Sequence, residues 1–120
     1  MATFTPGRNI AMKLPERVYA ETLGFYRDTL GLPVEEIDTG AKVAFGEMTL
    51  WLDRIAHQSQ TDIWLEVCTD DLDAGRAALR DDGHRLCPEV EPLPEGFRGD
   101  WVAAPSGTIH LISEHTTRET

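Results

Sequence analysis

The segment Asp62–Gly83 constrains this chain more than any other. It reads Asp-Ile-Trp-Leu-Glu-Val-Cys-Thr, then Asp-Asp, then Leu-Asp-Ala-Gly-Arg-Ala-Ala-Leu-Arg-Asp-Asp-Gly. Ile63, Leu65 and Val67 alternate with Asp62, Trp64 and Glu66, the period of a strand with one buried face. Asp70 or Asp71 is placed to cap a helix whose first turn favours acidic side chains. Leu72, Gly75, Ala78 and Leu79 form the helix's apolar stripe, and Gly83 ends it. An earlier stretch has the same grammar: the strand Asn9–Leu14, Pro15 at a helix entry, a helix from Glu16 to Leu30, then Gly31. The chain therefore reads as one unit written twice.

Each unit is completed by short strands. In the first half, Val18, Tyr19, Thr22, Leu23, Tyr26 and Leu30 give the helix one apolar stripe, and Pro33 prevents it from resuming. Val34–Asp38, Lys42–Gly46 and Met48–Ile55 follow as strands, and the polar Ala56–Thr61 links the halves. In the second half, His84–Val90, Asp100–Ala104 and Thr108–Ser113 are strand candidates. Glu91–Gly99 reads as a loop rich in Pro and Gly. Met1–Arg8 reads as an extended lead or turn and Glu114–Thr120 as a polar tail. The expected fold class is α+β, a single domain over 1–120 with modules at about 9–55 and 62–113.

Composition narrows the function classes. At 120 residues the chain suits one domain that buries more than half its unfolded surface. A net charge of −10 with no cluster of Lys and Arg argues against nucleic acid. The charge serves solubility, or else an acidic cleft that attracts a cation. No apolar run is long enough to span a bilayer and no signal-peptide pattern opens the chain, so a cytoplasmic protein without membrane contact is expected. The two cysteines, Cys68 and Cys87, match no zinc spacing and are expected to be reduced and structural.

Three phrases carry a resemblance. Gly24-Phe25-Tyr26-Arg27-Asp28-Thr29-Leu30-Gly31-Leu32 ends the first helix. Val67-Cys68-Thr69-Asp70-Asp71-Leu72-Asp73-Ala74 enters the second. Ala104-Pro105-Ser106-Gly107-Thr108-Ile109-His110-Leu111-Ile112 is similar to a segment Asp-Pro-x-Gly-Asn-x-Ile-Glu-Leu. Together with the doubled strand–helix–three-strand order, they resemble the vicinal oxygen chelate superfamily, which includes glyoxalase I, bleomycin-resistance proteins, extradiol dioxygenases and methylmalonyl-CoA epimerase. The resemblance implies two βαβββ modules forming a curled mixed sheet around a cleft, and a homodimer.

It also implies where a metal would sit, on the first and last strands of each half. The matching positions hold Asn9, Trp51, Asp62 and His110. Trp offers only an N–H donor and a neutral Asn amide is a poor ligand, so no metal is expected. The alternative is a divalent ion at Asp62 and His110, which supply half a site.

Strand alternation puts Ile10, Met12, Leu14, Leu50, Leu52, Ile63, Leu65, Val67, Val102, Ile109 and Leu111 under the helices. The opposite face receives Asn9, Lys13, Trp51, Asp53, Asp62, Trp64, Glu66, Trp101, His110 and Ile112. Three indoles beside carboxylates suit a flat aromatic or cationic ligand. Indoles that fill the cleft or sit at a dimer interface would account for the same pattern. The expectation is a metal-independent, small-molecule-binding protein of the bleomycin-resistance type, with Asn9, Trp51, Asp53, Asp62, Trp64, Glu66, Trp101 and His110 as ligand-binding residues. The competing expectation is a lyase, isomerase or dioxygenase in which His110 is the acid–base group, paired with Asp62 or Glu66.

Overall fold

The computed structural model describes residues 2–115. Two compact units divide the chain: Arg8–Trp64 forms one, and Leu65 onward, with the N-terminal segment up to Gly7, forms the other.

In the first unit, β1 (Phe4–Pro15, entering the unit at Arg8) leads into α1 (Glu16–Gly24), followed by β2 (Val34–Ile37), β3 (Gly40–Phe45) and β4 (Met48–Ile55). The strand order is β2-β3-β4-β1. β4 runs parallel to β1, with Ala11 opposite Trp51 and Lys13 opposite Asp53, whereas β2–β3 and β3–β4 are antiparallel. The sheet is therefore mixed. One residue in two faces α1, and Leu14, Tyr19, Leu23, Ala41, Val43, Leu50 and Leu52 form the core, flanked by Ile10, Met12 and Tyr26. Gly40 is required by close approach, because any Cβ there would collide with the carbonyl oxygen of Leu52.

The expected first helix is corrected near its end. After Gly24 the chain continues as a π-helical turn, Phe25–Thr29, in which Leu30 N–H donates to the Phe25 carbonyl at 2.9 Å. A π turn is wider than an α turn and rotates the following residues relative to the stripe. Tyr26 stays against the core, while Leu30 is 49% exposed.

In the second unit, β5 (Asp62–Thr69, entering the unit at Leu65) is followed by α2 (Leu72–Asp81), β6 (Gly99–Ala103) and β7 (Ile109–Glu114), in the order β5-β7-β6. β5 and β7 are parallel and β6 and β7 antiparallel, so this sheet is mixed as well. Leu72, Val102 and Ile112 are its buried apolar centre, with Val67, Leu79 and Leu86 against them. The helix ends in a Schellman arrangement: His84 N–H donates to Leu79 O and Gly83 N–H to Arg80 O, with Gly83 at φ 87°. Both units are α+β, with a helix on one face of a mixed sheet.

Other expectations change here. His84–Val90 is not a strand; it contributes a single bridge, Leu86 to Val102, and Pro88 lacks the N–H needed to extend the ladder. The lead is strand from Phe4 onward, and its end belongs to the second unit. There Thr3 N–H donates to Asp70 at 2.9 Å, and the Phe4 ring reaches the space left by Gly75. Ala78 is exposed, and so are Ile63 and Leu65 (41% and 38%), whereas the buried residues of α2 are Leu72 and Gly75. Residues 116–120 of the expected polar tail lie outside the described residues. Among the described residues no helix is long and apolar enough to cross a membrane.

The start of α2 is held twice. Of the two expected candidates, Asp70 and Asp71, it is Asp71 that caps it, accepting from Ala74 N–H at 3.1 Å. Glu114, at the end of β7, accepts from Leu72 N–H at 2.9 Å and from Arg98 Nε at 2.9 Å. The Arg98 guanidinium, followed by the Leu72 N–H, holds the Glu114 carboxyl at about 2, well below its usual 4.5. A lowered folded-state value makes this contribution complete above pH 4.5 and lost as pH falls toward about 2. Denaturant unfolding of Glu114→Gln is expected to show lower stability at neutral pH and a flatter loss of stability between pH 4.5 and 2 than the native chain. Parallel pH profiles for the two proteins would contradict the assignment.

Candidate functional site

The sheet face of the first unit turned away from α1 carries Asn9, Ala11 and Lys13 from β1, Thr49, Trp51 and Asp53 from β4, and Gly40, Lys42 and Ala44 from β3. Parallel pairing sets Trp51 beside Ala11, one alternation from Asn9, and Trp51 Nε1 donates to Asn9 Oδ1 at 2.8 Å. Two of the four positions at which the resemblance puts metal ligands are thus bonded to each other.

Lys13 is the residue of this face that sequence reasoning left out of the site. It is 4% exposed; its ammonium lies 2.6 Å from Asp53 Oδ2 and 4.2 Å from the centre of the Trp64 ring. Lys42, opposite Trp51 across the β3–β4 ladder, holds its ammonium 5.2 Å from that ring. The signal was present in the alternation, which puts both lysines on the indole face. The unit therefore supplies its own cations to Trp51 and Trp64. Asp62 is exposed and accepts from Gln58 at 3.3 Å. A cavity of about 280 Å³ adjoins this face, lined in part by Glu35, Lys42, Ala44 and Thr49.

In the second unit the face turned away from α2 carries Glu66 and Cys68 from β5, Trp101 from β6, and Leu111 and Ser113 from β7. Glu66 accepts from the Ser113 hydroxyl at 2.8 Å. Trp101 is 7% exposed, and its Nε1 donates to the Glu91 carbonyl at 2.8 Å, so the loop covers this indole.

His110 and Ile112 are corrected. Ile112 packs with Leu72 and Val102, and His110 pairs with Val102, so both face α2 rather than Glu66 and Trp101. His110 lines an apolar cavity of about 240 Å³ with Phe4, Val67, Leu79 and His84, its Nδ1 3.0 Å from the Thr108 carbonyl oxygen. The face of Glu66 and Trp101 is occupied at this level by Leu111. The error arose because Ile109-His110-Leu111-Ile112 is apolar on both parities, and the pairing with β6 decides between them.

The larger opening, about 930 Å³, lies on the α2 side of the second unit and includes Arg76, Arg80, His84, Arg85 and Asp100. Arg76 is engaged by Asp73 and Asp100, Arg85 by Glu89, and His84 by Asp82. This basin gathers none of the residues on the two sheet faces described above.

Structural comparison decides the fold. The chain resembles the Mn(II)-bound glyoxalase from Novosphingobium aromaticivorans at a TM-score of 0.68 and 21% identity, over 100% of this chain and 42% of that one. The chain has the vicinal oxygen chelate fold. Methylmalonyl-CoA epimerase from Mycobacterium tuberculosis matches at a TM-score of 0.61 and 21% identity, covering 91% of this chain and 87% of that one. A glyoxalase/bleomycin resistance protein/dioxygenase superfamily member from Vibrio splendidus 12B01 matches at 0.60 and 16% identity, with 88% and 97% coverage. No family model and no curated protein matches the chain. It spans less than half the length of the Novosphingobium glyoxalase.

A metal at the four positions that the resemblance implies does not fit the residues found there. Asn9 commits its carbonyl oxygen to Trp51, whose ring nitrogen is a donor only. His110 faces the helix side of its sheet, with Leu111 on the other side. Asp62 is the single carboxylate left in the set.

The Lys13–Asp53 pair gives a test of this geometry. Asp53 keeps 17% of its side chain exposed, so Lys13→Met is expected to cost roughly 2–4 kcal/mol in denaturant unfolding, somewhat under the cost of breaking a fully buried pair. The double variant Lys13→Met with Asp53→Leu recovers part of that loss. A cost within about 0.5 kcal/mol for the single variant would contradict a buried pair.

Proposed function

We propose that this chain is a small-molecule-binding protein of the vicinal oxygen chelate fold. It acts without a metal at the superfamily's position and holds a flat aromatic ligand against the indole face of the first unit. The observation that carries the reading is the hydrogen bond between Asn9 and Trp51, which joins two would-be ligand positions into a neutral, planar, polar-edged surface. The adjoining cavity is near the lower end of the size range of small-molecule sites.

The ligand class follows from charge. With Lys13 over Trp64 and Lys42 over Trp51, a cationic ligand would compete with the protein's own ammonium groups. A neutral or anionic aromatic compound stacks on Trp51 and meets Lys42 favourably. This replaces the cationic ligand anticipated from net charge. Asn9, Lys13, Lys42, Trp51, Asp53 and Trp64 are the binding residues of this reading. Trp101 shapes the second unit beneath its loop. A homodimer is part of the proposal, as a property carried by the resemblance, and light scattering tests it.

The competing enzymatic reading, a lyase, isomerase or dioxygenase, draws on the glyoxalase and epimerase among the similar structures. As framed, it pairs His110 with Asp62 or Glu66, and of these Glu66 lies on the opposite face of the sheet from His110.

Titration with planar aromatic carboxylates and their cationic counterparts, followed by tryptophan fluorescence, tests the proposal. The carboxylates are expected to bind more tightly, and Trp51→Ala to weaken them about 2- to 10-fold, the worth of one aromatic contact. Trp101→Phe leaves affinity unchanged. Preference for the cationic series, or affinity indifferent to Trp51→Ala, would overturn the reading.

A further inference from the structure

A second group of donors lies apart from the Asn9–Trp51 positions. Glu66 and Cys68 alternate on β5 and present their side chains to one face of the second unit. Leu111 and Ser113 of β7 share that face by register, and His115 continues the same parity just past the strand end. The His115 backbone is fixed there, its N–H donating to the Thr69 carbonyl at 2.9 Å. A carboxylate oxygen of Glu66, the Sγ of Cys68 and a ring nitrogen of His115 all lie within 4.8 Å of one another.

We propose that Glu66, Cys68 and His115 form a binding site for a borderline divalent metal ion, with Zn²⁺ the best match. One thiolate, one imidazole and one carboxylate are a donor set suited to Zn²⁺ and poorly suited to Mg²⁺ or Ca²⁺. A tetrahedral Zn²⁺ with bonds of about 2.0–2.3 Å keeps its donors roughly 3.5 Å apart, so small side-chain rotations close the observed cluster onto an ion. Three protein donors leave one position open to water or to an oxygen of a small ligand.

The surroundings are those of a built site. The hydroxyl of the fully buried Ser113 donates to Glu66 at 2.8 Å and orients the carboxylate, the kind of outer contact that positions metal ligands. Gly7 provides room for Glu66, since any side chain at that residue would collide with it. Cys68 is 5% exposed, which shields a metal-bound thiolate. The site is separate in residues from the Asn9–Trp51 positions, so it and the proposed ligand surface stand or fall independently.

The test is titration of the untagged, reduced protein with Co²⁺, a spectroscopic substitute for Zn²⁺. One equivalent is expected to bind per chain with a near-ultraviolet thiolate-to-cobalt charge-transfer band, and Zn²⁺ is expected to displace it. Cys68→Ser removes the band, whereas Cys87→Ser retains it. His115→Ala, a change at a strand end that leaves the core intact, weakens Co²⁺ binding at least 10-fold, as does Glu66→Gln. Absence of the band in the native chain would overturn the site. So would its persistence in Cys68→Ser, or a Co²⁺ affinity unaltered in His115→Ala.

Discussion

The bond from the Trp51 indole to the Asn9 amide is the contact on which the functional account rests. It depends on parallel pairing of β1 with β4, which places residue 51 beside residue 11 and within reach of residue 9. It also converts a location suited to ion ligands into a neutral aromatic surface. An indole donates one hydrogen bond and offers a π face. In the proposed reading such a surface holds its ligand by stacking rather than through a Lewis acid.

The same face shows how a charged group is kept in a nearly dry position. Lys13 is buried, and its ammonium meets a carboxylate on one side and an indole on the other. Neither contact alone offsets removal of an ammonium from water; together they give it an anion and a quadrupole. Buried ionic arrangements of this kind fix geometry more than they add stability. Here the arrangement sets the Lys13 ammonium 4.2 Å from the centre of the Trp64 ring.

Much of the fold was legible because its signals are redundant. The first unit is written by period-two strands, a helix stripe and turn glycines that agree with one another, and β4 begins and ends where the pattern says. The stop of α2 at Gly83 was equally plain, and its cap, narrowed to Asp70 or Asp71, falls to Asp71. Most of what was not legible turns on pairing or covering between segments. Ile109-His110-Leu111-Ile112 is apolar on both parities, so only its register with β6 sends His110 toward α2. His84–Val90 has strand composition, but Pro88 limits it to one bridge. Trp101 has the alternation of an open surface residue and is covered by the Glu91 loop. In the candidate site, the positions of Asn9, Trp51 and Asp53 followed from alternation. That Lys13 and Lys42 cover the indoles required the cross-strand neighbours.

The most direct measurement is hydrogen exchange of the Trp51 indole N–H, observed by NMR in the native chain and in Asn9→Ala. The account predicts slow exchange in the native chain and markedly faster exchange in the variant, at equal global stability. A Trp51 indole proton that exchanges at the same rate in both proteins would contradict it.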